Sequence, residues 1–284
     1  MVAPVPNEEQ KRIWNEVNAP RFFAIRDALE RSLAPYGLAA IDALSPAPGN
    51  SALDVGCGFG STTRELARRV GATGQVLGID VSEPFLAAAR AEAPVNVRYL
   101  CADAQTHSFE TPFDLCFARF GVMFFDDPPA AFANLRRALR AGGRFAAVTW
   151  GSPQQNAWVE VPLRVLRLHL PAAPALLTAA PGPFSLSDPR ALEQLLAEAG
   201  FAQPRVRALN LPYFAGATVE DASSLLLQLG PAAAVLREAG EAGQRLRPAI
   251  AADLGEELAP WLGQRGVELP AAALLATAAR PASK

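Results

Sequence analysis

The sequence predicts an α/β protein with a largely parallel sheet, and two observations indicate this class. Between residues 51 and 150, short apolar runs alternate with stretches in which apolar residues recur at helical spacing. The first run, residues 51–55, leads through a turn with three glycines (LDVGCGFG, residues 53–60) into a helix that begins near Ser61. A strand, a glycine turn and a helix start in this order are typical of α/β proteins that bind a ligand at the turn.

The glycine turn is the strongest candidate for a binding site. Its glycines allow the backbone to bend tightly and to approach a ligand, and the following helix presents unpaired N–H groups. Asp54 precedes the turn, where its carboxylate can accept a hydrogen bond from a ligand. The third glycine comes one residue too early for the dinucleotide fingerprint, and the Gly-Lys-Ser/Thr of a phosphate loop is absent. A nicotinamide-dependent oxidoreductase is therefore disfavoured, and a purely structural turn remains an alternative.

The composition argues against several function classes. The 284 residues carry a net charge of −2 and are 50% hydrophobic, and no basic stripe suggests a nucleic acid or a membrane surface. No apolar run is long enough to span a membrane, and the polar N-terminus does not resemble a signal peptide. The three cysteines lack the spacing of a metal site. We expect a cytoplasmic protein, a monomer or a homodimer, that acts on a small molecule and binds no metal ion.

The N-terminal segment, residues 1–45, is predicted to be a helical cap ahead of a main domain at residues 46–284. Asn7 is a candidate helix N-cap, and three helices are expected, the last a short one at residues 38–44. A proline-rich break follows at residues 45–50.

Acidic residues follow two of the predicted strands. The strands after the first are expected at residues 75–80, 95–101, 113–118 and 144–150. Asp80 closes the second strand, where one carboxylate can accept hydrogen bonds from both hydroxyls of a ribose. The alternative is that Asp80 only caps the next helix. Asp103 follows the third strand, where it can accept a hydrogen bond from an adenine amino group.

The pattern is looser beyond residue 150. The expected elements are a helix at 156–170, a Pro-, Ala- and Gly-rich loop at 171–187, a sixth strand at 204–209, helices within 218–262 and a last, edge-paired strand at 271–279. The insertions at about 151–187 and 212–265 are the expected places for a substrate cover.

Five sequence blocks now indicate a family. They are ALDVGCGFGSTTRELA, GIDVSEPFLAAAR, CADAQ, FDLCFARFGVMFF and LRRALRAGGRFAAVTW, in this order along residues 52–150. In order and spacing they resemble the motifs of class I S-adenosylmethionine-dependent methyltransferases, in the branch of small-molecule and quinone C-methyltransferases. The resemblance implies a Rossmann-like, seven-stranded, mostly parallel sheet with a reversed final hairpin and helices on both faces. It also implies S-adenosyl-L-methionine as the cofactor.

The resemblance assigns candidate cofactor residues by position. It implies that the methionine and ribose are lined by Asp54, Gly56, Gly58 and Gly60, and that Asp80 holds the ribose. It implies that Val81 and Phe85 sandwich the adenine, with Asp103 and Ala104 at its edge. It also implies that Arg119 and Phe120 border the methionine or the methyl exit. Cys57 lies within the glycine turn and matches a residue common in the family. Phe85 departs from the methionine common there, a change of bulk that should preserve stacking.

Methyl transfer from a sulfonium is an in-line displacement, so the protein must align the acceptor and can supply a base. His169 is a weak candidate for a residue that touches the substrate, and no cluster of acids and histidines suggests a metal. Trp14, Met123 and Trp158 are candidate substrate contacts, and such apolar residues favour a hydrophobic or aromatic acceptor, methylated at C, O or N. The alternative is a cofactor-binding protein or a cyclase of the same fold that transfers no methyl group.

Overall fold

The computed structural model describes residues 6–171 and 181–282, and a single sheet forms its centre. The strands are β1 (Ser51–Val55), β2 (Gln75–Asp80), β3 (Val97–Cys101), β4 (Phe113–Arg119), β5 (Leu139–Trp150), β6 (Ala202–Gly216), β7 (Leu262–Gly263) and β8 (Gly266–Ala279). Seven strands lie in the order β3-β2-β1-β4-β5-β8-β6, and the two-residue β7 pairs with β8. Strands β3, β2, β1, β4 and β5 are parallel to one another. The predicted class, a mostly parallel α/β sheet, is confirmed.

The C-terminal strand departs from the prediction of an edge strand. β8 is antiparallel to β5 on one side and to β6 on the other, so β6 forms the edge. Almost every residue from Ala271 to Ala276 is buried, because both edges of the strand and both of its faces are covered. The reversed final hairpin implied by the resemblance is present.

The helices of the first half follow the predicted alternation. They are α1 (Glu8–Arg12), a π-helical turn (Ile13–Val17), α2 (Asn18–Ala24), α3 (Arg26–Leu44), α4 (Ser61–Val70), α5 (Glu83–Ala91), a 3₁₀ turn (Val122–Phe124) and α6 (Pro128–Ala138). The short helix expected at residues 38–44 is the end of α3, which continues through Pro35. Asn7 stands at the start of α1, but its side chain makes no cap hydrogen bond.

The second half adds helices around the last strands. They are a 3₁₀ turn (Pro153–Gln155), α7 (Ala157–His169), α8 (Pro189–Glu198), α9 (Val219–Leu226), α10 (Gly230–Glu238), α11 (Gly240–Leu258) and a 3₁₀ turn (Ala259–Trp261). The expected helix at 156–170 corresponds to α7. Part of the expected loop at 171–187 lies outside the described residues, as do the first residues of the N-terminal cap.

Two features are absent from the described residues. None of the helices in residues 6–171 and 181–282 is both long and apolar enough to cross a membrane. The same residues contain no group of three or more His, Cys, Asp or Glu side chains that could hold a metal ion.

Candidate active site

A cavity of about 590 Å³ lies at the carboxyl ends of β1, β2 and β4. The parts of the chain that enclose it include the glycine turn and strand ends below, the N-terminal helices on one side, and α10 on another. Open α/β sheets bind ligands in this crevice, because the loops that follow the strands converge there. The cavity is large enough for a cofactor and a small second molecule.

The three glycines of the turn serve different purposes, although all have positive φ angles. A Cβ atom at Gly56 would lie 2.9 Å from the Cα of Gly121, and one at Gly60 would lie 2.2 Å from the Tyr99 hydroxyl. Both positions therefore need glycine for packing. Gly58 lines the cavity, and a Cβ there would meet nothing within 4 Å. Gly58 alone leaves open space that a ligand can fill.

Asp80 holds the glycine turn in place and also lines the cavity. One carboxylate oxygen accepts a hydrogen bond from the Gly58 N–H at 2.9 Å, and the other accepts from the Ser82 N–H at 2.9 Å. Burial raises the pKa of Asp80, against the opposing effect of these backbone donors. Each oxygen keeps acceptor capacity for a ligand hydroxyl, since a carboxylate offers about four lone-pair sites.

Asp54 is a support for the turn rather than part of the cavity wall. It is fully buried, and its Oδ2 accepts hydrogen bonds from the hydroxyls of Thr62 at 2.8 Å and Thr63 at 2.6 Å. Its Oδ1 has no hydrogen-bond partner among the described residues. Burial raises its pKa to about 6, although the threonine hydroxyls and Arg119 act in the other direction. Asp54 therefore ties α4 to β1 behind the turn.

Asn7 closes the side of the cavity beside Asp103, a role that the sequence did not suggest. Its amide nitrogen donates to both carboxylate oxygens of Asp103, at 3.0 and 2.9 Å. Its backbone N–H donates to Asp126 Oδ2 at 2.5 Å, and its Oδ1 accepts from the Asp126 N–H at 2.7 Å. Asn7 is buried, and its backbone lies in the left-handed region with a φ of 56°. This latch fixes the N-terminal segment against the loops after β3 and β4.

Aromatic side chains cover the same side. The Trp14 ring lies edge-on to Phe85 at 6.2 Å and to Phe124 at 5.1 Å, and Phe85 also packs on Phe59 at 4.6 Å. Trp14 belongs to the π-helical turn, a distortion that is frequent at functional sites. The Trp14 carbonyl accepts from the Ser82 hydroxyl at 3.2 Å, so the turn is held against the loop after β2.

Arg119 forms an ion pair at the cavity wall. Its guanidinium donates to both carboxylate oxygens of Glu30, at 3.1 and 3.0 Å, and to the Ser61 hydroxyl at 3.2 Å. Ser61 in turn donates to Glu30. Both Arg119 and Glu30 line the cavity, so one positive and one negative group stand side by side near the glycine turn.

An aromatic wall bounds the other end of the cavity. Phe120 stacks on Trp150 at 4.1 Å, and Trp158 stacks on Tyr213 at 5.5 Å. Trp150 and Trp158 lie 5.0 Å apart. The Trp158 N–H donates to Asn156, which fixes the ring. All four rings line the cavity. They are buried and stack on one another, so this end of the cavity has an apolar wall that suits an apolar molecule.

The structure brings most of the predicted site residues to the cavity. The lining includes Gly56, Cys57, Gly58, Asp80, Val81, Phe85, Asp103, Ala104, Arg119, Phe120, Trp14, Met123 and Trp158. Asp54, Gly60 and His169 are not among the lining residues. His169 lies at the end of α7, where its Nε2 is 2.7 Å from Asp253 on α11. Its candidate role as a substrate contact therefore gains no support from its position.

Comparison with known proteins decides the family. The profile of a family described as a methyltransferase domain matches residues 52–143. Nocamycin O-methyltransferase of Saccharothrix syringae is 33% identical over 60% of this chain and 66% of its own length. The ubiquinone/menaquinone biosynthesis C-methyltransferase of Teredinibacter turnerae is 31% identical over 56% of this chain and 69% of its own length. The chain belongs to the S-adenosylmethionine-dependent methyltransferase family.

This methyltransferase also has the fold of solved relatives. The phosphoethanolamine N-methyltransferase 2 of Haemonchus contortus, solved with S-adenosyl-L-methionine, is 19% identical with a TM-score of 0.52. That match covers 87% of this chain and 52% of the other, and at this identity it shows the fold alone. The chain spans 66% of the length of nocamycin O-methyltransferase but only 53% of that of aklanonic acid methyltransferase DauC from Streptomyces. The predicted family and cofactor are confirmed.

Proposed function

We propose that this methyltransferase transfers the methyl group of S-adenosyl-L-methionine to a small hydrophobic or aromatic molecule. One observation carries the proposal: a single cavity joins the glycine turn and Asp80 to the wall of four aromatic rings. Relatives named as natural-product and quinone methyltransferases support an acceptor of this kind.

The residues of the turn fit the cofactor. The open space at Gly58 accommodates a ligand close to the backbone, and the partly engaged carboxylate of Asp80 can accept the ribose hydroxyls. Val81 and Phe85 would hold the adenine, with Asp103 and Ala104 at its edge. The neighbouring charges of Arg119 and Glu30 complement a carboxylate and an ammonium group, the two ends of an amino acid. The cofactor, when bound, supplies an electrophilic methyl group on a sulfonium.

The remaining task of the protein is to align the acceptor and to exclude water. We assign this to a cover made of the described parts of residues 1–45 and of the insertions at about 151–187 and 212–265. The cover is supported by Trp14 on the N-terminal segment, Trp158 on α7 and Gly230 on α10, which all line the cavity. Enclosing the acceptor against the aromatic wall would align it with the methyl group and exclude water, and such alignment is a large part of how an enzyme accelerates a displacement.

Calorimetry with S-adenosylhomocysteine and NAD, followed by methyl transfer to a panel of hydroxylated naphthoquinones and phenols, tests the proposal. We expect binding of S-adenosylhomocysteine only, and methyl transfer to at least one aromatic acceptor. Asp80→Asn should weaken cofactor binding by about 1.5–3 kcal/mol, because it alters hydrogen bonds to a charged group. Asp42→Asn is the matched control, since Asp42 is exposed and pairs with Arg69 on the surface. Cofactor binding without transfer to any acceptor would favour a binding protein or a cyclase.

A further inference from the structure

Two arginines line the cavity and lie outside the glycine turn. Arg21 lies on α2 and Arg237 on α10. The Arg21 Nη2 donates to the Gln228 carbonyl at 2.8 Å, in the segment that joins α9 to α10. Arg21 is half-buried and held by this bond, so its charge stays at the cavity wall.

These arginines lack acidic partners within the described residues. Among those residues, no carboxylate oxygen lies within 4.0 Å of the guanidinium nitrogens of Arg21, Arg237 or the nearby Arg247. By contrast, Arg26 pairs with Glu92 at 2.7 Å and Arg164 pairs with Glu257 at 2.6 Å. Glu238 also lines the cavity without pairing to them. Burial and the charges of Arg237 and Arg247 lower the pKa of Arg21. An anion bound here would offset like charges that now oppose one another.

The unpaired arginines adjoin the aromatic wall. Gln228, which holds Arg21, is two residues before Gly230 at the start of α10. A Cβ atom at Gly230, where φ is +52°, would lie 2.9 Å from the Trp158 ring, so α10 begins in close contact with that ring. A molecule lying on Trp158 would therefore have the arginine side of the cavity beside it.

We propose that the methyl acceptor carries a carboxylate, and that Arg21 and Arg237 bind this group while the apolar part lies beside Trp158 at the aromatic wall. This inference rests on the proposed function and narrows its substrate class from a hydrophobic aromatic molecule to an aromatic acid. Guanidinium groups match a carboxylate in charge and in geometry, because their N–H donors lie in one plane. Arg21 is half-buried and Arg237 is exposed. They would favour acidic acceptors, since a neutral analogue cannot form an ion pair with either guanidinium group.

The test compares 2-naphthoate with 2-naphthamide, which have the same ring but differ in charge. Calorimetry in the presence of saturating S-adenosylhomocysteine should show at least tenfold tighter binding of the acid. Arg21→Gln and Arg237→Gln should each remove most of this preference. Arg245→Gln is the matched control, because Arg245 is exposed on α11 and does not line the cavity. That variant should retain the preference.

Two results would overturn the inference. One is equal affinity for the two compounds, or binding of neither, in the unmodified protein. The other is a loss of S-adenosylhomocysteine affinity in Arg21→Gln as large as the loss of 2-naphthoate affinity, which would assign the arginines to the carboxylate of the cofactor. If the acid preference were intact but S-adenosylhomocysteine did not bind, the proposed function alone would fail.

Discussion

Replacing Gly58 by alanine separates ligand binding from folding more cleanly than any other change in the glycine turn. The new Cβ would meet no protein atom within 4 Å, and Gly58 lines the cavity. The methyl group therefore occupies ligand space and leaves the packing of the protein intact. Its cost to folding comes only from the backbone, because φ is +53°.

The expected magnitudes follow from these two facts. A side chain in the left-handed region costs about 1–2 kcal/mol, which corresponds to a fall in Tm of roughly 2–8 °C for a chain of this size. An extra methyl group in a filled site costs about 1–3 kcal/mol, or roughly a 5- to 150-fold weaker dissociation constant. Gly58→Ala should thus stay folded but bind S-adenosylhomocysteine at least fivefold more weakly.

Gly60→Ala provides the matched control, with the opposite pattern. Its φ is +78°, and its Cβ would lie 2.2 Å from the Tyr99 hydroxyl and 3.1 Å from the Ala89 Cβ, outside the cavity lining. We expect a larger loss of stability, with the affinity of the folded protein retained. Scanning calorimetry and titration calorimetry measure the two effects. If Gly58→Ala bound S-adenosylhomocysteine as tightly as the unmodified protein, the turn would not contact the cofactor.

Two further substitutions test the supports of the site. Asn7→Ala removes the side-chain amide that donates to Asp103, so it should raise hydrogen exchange in residues 8–24 and weaken S-adenosylhomocysteine binding. Unchanged exchange would show that the latch does not hold the N-terminal helices. Asp54 has a pKa raised from 3.8 to about 6, so the folded protein binds more protons than the unfolded chain between these values. Its contribution to the free energy of unfolding therefore falls as the pH rises from about 4 to 6, by about 3 kcal/mol. Urea unfolding measures the difference in free energy of unfolding between Asp54→Asn and the unmodified protein. This difference should shift in favour of the variant by the same amount between pH 4 and pH 7, and a pH-independent difference would contradict the burial argument.

The sequence predicted the parts of this protein that depend on local patterns. The apolar run before the glycines and the acid after β2 could be recognised because strand, turn and helix signals are adjacent in the chain. The order of the motifs then placed Asp80 and Gly58 in one site, since the carboxyl ends of parallel strands meet at one edge. These residues do line the cavity.

The parts that were missed depend on contacts between distant segments. Asn7 looked like a helix cap because asparagine before an acidic turn is a common cap. Its side chain instead binds Asp103, 96 residues away, and no local pattern carries that information. Glu30 likewise looks in the sequence like an ordinary exposed acid on a helix. Its ion pair with Arg119 depends on how α3 packs, which no local pattern indicates. The edge prediction for β8 was wrong because strand order is decided by tertiary packing.

Phe120 shows how the two ends of the cavity are joined. A bulky residue at a φ of 59° is uncommon and costs of order 1–3 kcal/mol. The strain has a structural purpose, because the turn after β4 brings Gly121 so close to Gly56 that a Cβ at Gly121 would lie 3.0 Å from the Gly56 Cα. The Phe120 N–H bond to the Val148 carbonyl at 2.9 Å and the stacking on Trp150 offset the cost. Phe120 therefore stands between Gly121, which contacts the glycine turn, and Trp150 of the aromatic wall, so this one strained position joins the two ends of the cavity.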